Sequence, residues 1–221
     1  LEALDTFKIP EVPGEKPFRM PVQDVYKWDD LRINAGTVIQ GTAKDGMKVK
    51  AIPSGEETSI ESVIEWGSDQ EDSYGKGGYT RPGKAVAGKA TGLTLKDQLF
   101  IDRGDILTDP EDTPMVSKEF NAHLFWMAKT PYKLGERLKI KCATQEVMCE
   151  ISRIIKVTDS SSLEVLAEEA KELKNREVGD VVITTAREIA IQDFNECPHL
   201  GRFVLDRGDT VAGGIITEVQ E

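Results

Sequence analysis

The stretch Val116-Ser117-Lys118-Glu119-Phe120-Asn121-Ala122-His123-Leu124-Phe125-Trp126 sets Val116, Phe120, Ala122, Leu124 and Trp126 on one parity and Ser117, Glu119, Asn121 and His123 on the other. A period of two is the mark of a half-buried strand, because successive side chains leave opposite faces. The same alternation runs outward from it. Leu138, Ile140 and Cys142 alternate with Lys139 and Lys141; Cys149, Ile151, Ile155 and Val157 repeat the pattern, broken at Arg153; and residues 181–191, 202–206 and 210–219 read as further strands. Gly213-Gly214-Ile215-Ile216 reads as a closing strand whose glycines admit a neighbouring backbone. One segment departs from this period. Leu163, Leu166, Ala167, Ala170 and Leu173 fall at i, i+3, i+4, i+7 and i+10, with Ser161 and Glu164 spaced as a capping box, so the spacing predicts a short helix over 162–174.

Toward the N-terminus, Phe18, Met20 and Val22 share a face. Residues 32–44 and 48–52 read as strands, with Lys44-Asp45-Gly46 as a hairpin-type turn between them, and 58–65, 84–95 and 102–107 continue the series. Six short strands without a helix indicate an all-β barrel or sandwich. Residues 108–114 (TDPEDTP) are acidic and proline-containing, and apolar periodicity stops there and restarts beyond. This composition suits a joint between two domains.

The 221 residues carry 28 basic and 39 acidic side chains, a net charge of −11, and residues 1–110 and 111–221 are both acidic. Such a balance disfavours nucleic-acid binding. No run approaches the ~18 apolar residues of a membrane helix. Leu1 to Pro10 shows no basic start before an apolar core, so no signal peptide is expected in it, and the missing Met is expected of a piece of a longer chain. Cys142, Cys149 and Cys197 make neither a CxxC pair nor an even framework, and with only His123 and His199 beside them no metal-ligand spacing appears. Buried free thiols and a reducing, cytoplasmic setting are expected.

Several stretches imitate chemical motifs. Gly78-Tyr-Thr-Arg-Pro-Gly83-Lys84-Ala85 approximates a phosphate loop, but Ala85 offers no hydroxyl to Mg²⁺, Pro82 removes an N–H, and no strand-loop-helix surrounds it. Arg103-Gly104-Asp105 and Arg207-Gly208-Asp209 both follow an Asp and read as turns beside strands. Cys197 and His199 lack an orienting third group for nucleophilic catalysis. The acidic run Asp69-Gln-Glu-Asp72 reads as a solvated loop.

Pro17–Tyr26 (PFRMPVQDVY), Ala35-Gly36-Thr37-Val38-Ile39-Gln40-Gly41, Arg81-Pro82-Gly83-Lys84-Ala85-Val86 and Asp102-Arg103-Gly104-Asp105-Ile106-Leu107 resemble the second domain of the elongation-factor-Tu class of GTPases. Leu200-Gly201-Arg202-Phe203-Val204-Leu205 with Thr210-Val211-Ala212-Gly213-Gly214 resembles the close of its third domain. Within the class, the segment from Asp30 to Thr37, Pro53-Ser54-Gly55, the segment from Phe120 to Met127, Lys141-Cys-Ala-Thr144-Gln and Asn175-Arg-Glu-Val-Gly179 resemble the large, GTP-binding subunit of sulfate adenylyltransferase, in some cases fused to adenylylsulfate kinase.

The resemblance implies the end of a GTPase-domain helix and a linker over 1–16, a domain II-like β-barrel over 17–108 and a domain III-like β-barrel over 114–221. Leu1-Glu-Ala-Leu4-Asp5 resembles that last helix. GTP and Mg²⁺ would belong to an upstream domain, and the implied partners are that domain and a small catalytic adenylyltransferase subunit. No catalytic, cofactor-binding or metal residue is implied here, and Arg32 and Gly36 are the candidate partner-interface residues. A translation factor that carries aminoacyl-tRNA or binds the ribosome, or a free-standing adaptor, are the alternatives. Isothermal titration with GTP and Mg²⁺ is expected to show no binding to this chain; micromolar binding would mean that the Gly78–Lys84 loop holds phosphate after all.

Overall fold

The computed structural model describes residues 16–28, 31–71 and 77–219. The expected terminal helix at Leu1 to Asp5 lies outside them, as do the side chains of the acidic run at 69–72; the first three residues of that run, expected as a loop, are the end of a long strand, Glu57–Glu71.

The first half comprises β1 (Arg19–Trp28), β2 (Leu31–Thr37), β3 (Thr42–Lys44), β4 (Lys48–Ile52), β5 (Glu57–Glu71), β6 (Gly77–Thr80), β7 (Lys84–Val86), β8 (Ala90–Leu95) and β9 (Ile106–Thr108). The strand order is β4-β9-β1-β2-β8-β5, and β4 pairs back onto β5, so six antiparallel strands close into a barrel with β6 added to the end of β5. Phe18, Met20 and Val22 point inward together with Val49, Ile60, Val63 and Leu93. Each such side chain contributes ~1.5–3 kcal/mol on burial.

The turn at Lys44-Asp45-Gly46 forms, with the Met47 N–H donating to the Lys44 carbonyl at 3.1 Å and Gly46 at φ 78. It does not make the expected hairpin, because β3 pairs with β7 while β4 pairs with β5 and β9. The turn is knitted to β5 instead. Asp45 accepts the Val63 N–H at 2.8 Å and the Gly46 N–H donates to the Ile60 carbonyl at 2.8 Å. The run 32–44 is likewise two strands, since the chain leaves the sheet between them through Gly41 at φ 70.

The second half comprises β10 (Met115–Trp126), β11 (Tyr132–Lys133), β12 (Arg137–Cys142), β13 (Gln145–Asp159), β14 (Val165–Ala170), β15 (Glu172–Leu173), β16 (Glu177–Ile191), a one-turn helix α1 (Pro198–Gly201), β17 (Arg202–Asp206) and β18 (Thr210–Val219). Its order is β12-β17-β18-β10-β16-β13, closed by pairing of β12 with β13, and β14 is added outside β13. Phe120, Ala122, Leu124 and Trp126 are buried as their alternation requires, but Val116 is 38% exposed because a bulge between Ser117 and Glu119 resets the register with β16. Bulges between Ile151 and Arg153 and between Ile154 and Lys156 put Ile154 in the core in place of Ile155.

The helix expected over 162–174 is absent; those residues are a turn followed by β14 and β15. Asp159 is the reason at the start. Its carboxylate accepts the Ser161 and Ser162 N–H groups at 2.9 and 2.8 Å, and the Asp159 N–H donates to the Glu164 carbonyl, so the chain turns back along β13. A left-handed residue, Glu169 at φ 49, then shifts the inward parity within the strand. Ala167, Ala170 and Leu173 thereby reach the core at three-residue spacing without a helical turn, while Leu163 stays 77% exposed. The short helix of this domain is α1.

The barrels meet through Ile39, Ile52 and Ile106 from the first and Ala190, Cys197 and Leu200 from the second. Beside this contact lies Arg19, 2% exposed, whose guanidinium donates to Asp112 of the joint and to the Gln192 side chain of the second barrel. The joint itself is tied down, with Thr108 Oγ1 donating to the Asp112 carbonyl at 2.9 Å and the Asp109 N–H to the Phe18 carbonyl at 3.0 Å.

Two stability comparisons test these packings by urea denaturation. A Cβ on Gly214 would lie 2.6 Å from the His123 carbonyl oxygen and 2.6 Å from Phe203 Cζ, whereas one on Gly213 would meet nothing within 4 Å. Gly214→Ala is expected to cost ~1–3 kcal/mol and Gly213→Ala under ~1 kcal/mol. For the joint, Asp112→Ala strands a buried guanidinium and is expected to cost ~3 kcal/mol. Arg19→Met leaves behind an aspartate that is 47% exposed and can rehydrate, so its cost should be smaller, about 1–2 kcal/mol; the reverse order would show that Arg19 is held by packing alone.

Candidate functional site

Strands β1 and β2 run antiparallel with Lys27 opposite Arg32 and Val22 opposite Gly36, which fixes where the two candidate interface residues stand. Arg32 is exposed on the outer face and its Nη2 donates to the Ile101 carbonyl at 2.9 Å. Gly36, four residues on, is buried, and a Cβ there would collide with the Pro21 carbonyl oxygen. The two do not converge. Gly36 lets β1 and β2 approach, while Arg32 faces solvent.

Around Arg32 the surface forms a groove of about 750 Å³ with Asp24, Tyr26, Lys27, Asp102 and Arg103. Tyr26 packs edge-on against Trp66, ring centroids 6.5 Å apart, and Phe100 nearby in sequence is 87% exposed. Mixed charges beside exposed aromatic side chains suit docking of a protein surface. Sequence reading did not single out Tyr26, Trp66 or Arg103 for this face. Their signal was weak because each is an ordinary residue of a strand or turn, and only closure of the barrel sets them side by side.

The residues with catalytic potential are otherwise engaged. All three cysteines are free and buried, and burial pushes the Cys142 and Cys149 thiols up to about 12, so neither offers a thiolate near neutral pH. Cys197 precedes α1 inside the interbarrel contact, while His199, two residues on, is exposed with its Nδ1 3.4 Å from Arg202. His123 lies on the outer face of the second barrel, 2.6 Å from Asp180. Burial raises the Asp180 carboxyl, but hydrogen bonds from Lys156 and His123 outweigh it and hold the group below its ordinary value. Among the described residues no group of three or more His, Cys, Asp or Glu could hold a metal ion, and no helix is long and apolar enough to cross a membrane.

The motif imitations resolve as turns. Gly83, at φ 75, joins β6 to β7 with no helix following. Arg207 pairs with Glu136 and stacks 5.6 Å over the Trp126 ring, and Gly104 and Gly208 take φ 104 and 97. Asp105 accepts the Asp102 N–H at 3.0 Å within its own turn.

Residues 119–217 match the GTP-eEF1A C-terminal domain-like family. Over its whole length the chain is 33% identical to elongation factor 1-alpha of Cenarchaeum symbiosum, covering 49% of that protein. It is 32% identical to sulfate adenylyltransferase subunit 1 of Cronobacter sakazakii, again over its whole length and covering 44% of that protein. Over 91% of the chain it is 31% identical to the same subunit of Tolumonas auensis, covering 41%. The chain thus spans about half the length of the curated relatives it matches. The solved structure of sup35 complexed with GDP superposes with a TM-score of 0.81 at 18% identity, over all of this chain and 52% of that one. Two closed six-stranded barrels in tandem, the family match over the second and full-length similarity to both kinds of relative place the chain in one family: it belongs to the C-terminal barrel domains of the EF-Tu/EF1A class of GTPases.

Proposed function

We propose that this chain is the paired-barrel region of a GTP-binding sulfate adenylyltransferase subunit, acting in sulfate activation to adenosine phosphosulfate. The barrels form a docking scaffold for a GTPase domain, which carries GTP and Mg²⁺, and for a small catalytic adenylyltransferase subunit. They have no catalytic residue of their own, and Arg32 with the aromatic side chains near it is the face offered to a partner. A cytoplasmic setting belongs to the same reading.

The observation that favours this over aminoacyl-tRNA carriage is electrostatic. The chain is net −11, and six of the fourteen Lys and Arg side chains in residues 114–221 are paired with carboxylates, four of them along β12 and β13. Lys141 pairs with Asp206 at 2.7 Å, Lys156 with Asp180 at 2.7 Å, Arg153 with Glu169 at 2.5 Å and Lys139 with Glu146 at 3.4 Å. A polyphosphate backbone is held by unpaired Lys and Arg that release its counterions, and both the net negative charge and the pairing along β12 and β13 work against a continuous cationic stripe. The translation-factor reading has its own support, in elongation factor 1-alpha relatives that are as similar as the sulfate adenylyltransferase ones.

Pull-down of a small adenylyltransferase subunit, set beside a tRNA gel shift at two salt concentrations, separates them. Subunit capture with no tRNA shift is expected, and Arg32→Glu should weaken the capture. A salt-sensitive tRNA complex without subunit capture would transfer the chain to translation. Neither interaction would favour a free-standing adaptor.

A further inference from the structure

A groove of about 440 Å³ opens between the two barrels. Gln23 and Thr37 line it from the first barrel, and Lys141, Thr144, His199 and Arg202 from the second. No carboxylate lines it, although acidic side chains outnumber basic ones 39 to 28 in the chain, and four other grooves on the described surface each contain at least one Asp or Glu.

The strand register explains why the cations gather. Lys141 on β12 is opposite Val204 on β17, and Arg202 stands two residues before Val204, hence on the same outward face. Helix α1 carries His199 three residues before Arg202. Arg202 has no carboxylate partner among the described residues; its Nη2 lies 3.4 Å from His199 Nδ1. The Lys141 ammonium is hydrogen-bonded to Asp206 at 2.7 Å and retains two further N–H donors. Thr144 Oγ1 is buried without a hydrogen-bond partner in the protein, an arrangement that costs free energy unless a ligand or solvent satisfies it. Burial first, and the charge of Arg202 second, pull the His199 ring below its ordinary value.

We propose that this groove binds an oxyanion, a phosphate or sulfate group carried on a small ligand. The Arg202 fork and the free Lys141 N–H groups donate charge-assisted hydrogen bonds to it, and Thr144 donates its hydroxyl proton. The space exceeds a single tetrahedral ion, so the rest of the ligand meets Gln23 and Thr37, and an occupied groove ties one barrel to the other. One oxyanion needs only this local cluster and not the cationic stripe that a nucleic-acid backbone requires. The inference rests on the groove alone and is independent of the sulfate-activation reading.

The chain has two histidines, so its ring NMR spectrum reports the site and a control at once: His199 lines the groove, and His123 is paired with Asp180 elsewhere on the second barrel. Inorganic phosphate in one arm and sulfate in the other are titrated at pH 7.5 and constant ionic strength, against chloride. The His199 signals are expected to move along a saturating curve in at least one arm while those of His123 stay, and the arm that saturates identifies the source of the oxyanion. Arg202→Gln should raise the apparent Kd at least tenfold and Thr144→Val at least threefold, with the His123 signals unmoved as evidence of folding. If Arg202→Gln does not fold, Thr144→Val carries the comparison. His199 shifts equal to those in chloride in both arms would overturn the proposal, as would saturation unchanged in the folded variants, or a response to a glutamate-rich peptide with none to either ion.

Discussion

A β-sheet that ends in free edges exposes a row of unpaired N–H and C=O groups, and closing the sheet on itself removes the problem. In this chain the pairing of β4 with β5 and of β12 with β13 does so twice. Everything else follows from those two closures. They force strands distant in sequence, such as β10 with β18 and β1 with β9, into register, and each register shift needed to turn the barrel wall is absorbed by a bulge. Gly214 exists for the same reason, since the wall at that point brings the His123 carbonyl and the Phe203 ring to where a side chain would stand.

The six closed strands of each barrel leave no wall edge with which to hold the other, and the added strands β6 and β14 pair only within their own halves. Their contact is a small apolar cluster centred on Ile52, Ile106 and Leu200, joined by the buried Arg19 guanidinium that binds the joint at Asp112 and the second barrel at Gln192. The apolar part is non-directional, whereas the charged hydrogen bonds fix a relative orientation.

The surface chemistry divides along the same lines. The Cys142 and Cys149 thiols are inside and held protonated, and six of the fourteen cations on the second barrel are spent on neighbouring carboxylates. What remains outward is a mixed-charge groove around Arg32 and a cationic groove between the barrels.

The sequence by itself determined the all-β class and the inward faces of most strands, because period-two alternation at Phe18, Met20 and Val22, at Leu138, Ile140 and Cys142, and at Phe120 through Trp126 is a local property of the chain. It also determined that the apparent phosphate loop was a turn, since Pro82 and Ala85 disqualify it without reference to any neighbour. Only tertiary structure decided the segment after Asp159: its apolar spacing fits a helix, but the Asp159 turn and the left-handed Glu169 let the same side chains reach the core from an added strand. Only tertiary structure turned Arg19 into an interbarrel clamp, for a lone arginine between Phe18 and Met20 gives no hint of partners 93 and 173 residues away. The interbarrel groove was invisible for the same physical reason. A period is written along the chain, whereas a cluster such as Thr144, His199 and Arg202 exists only once closed sheets bring distant strands together.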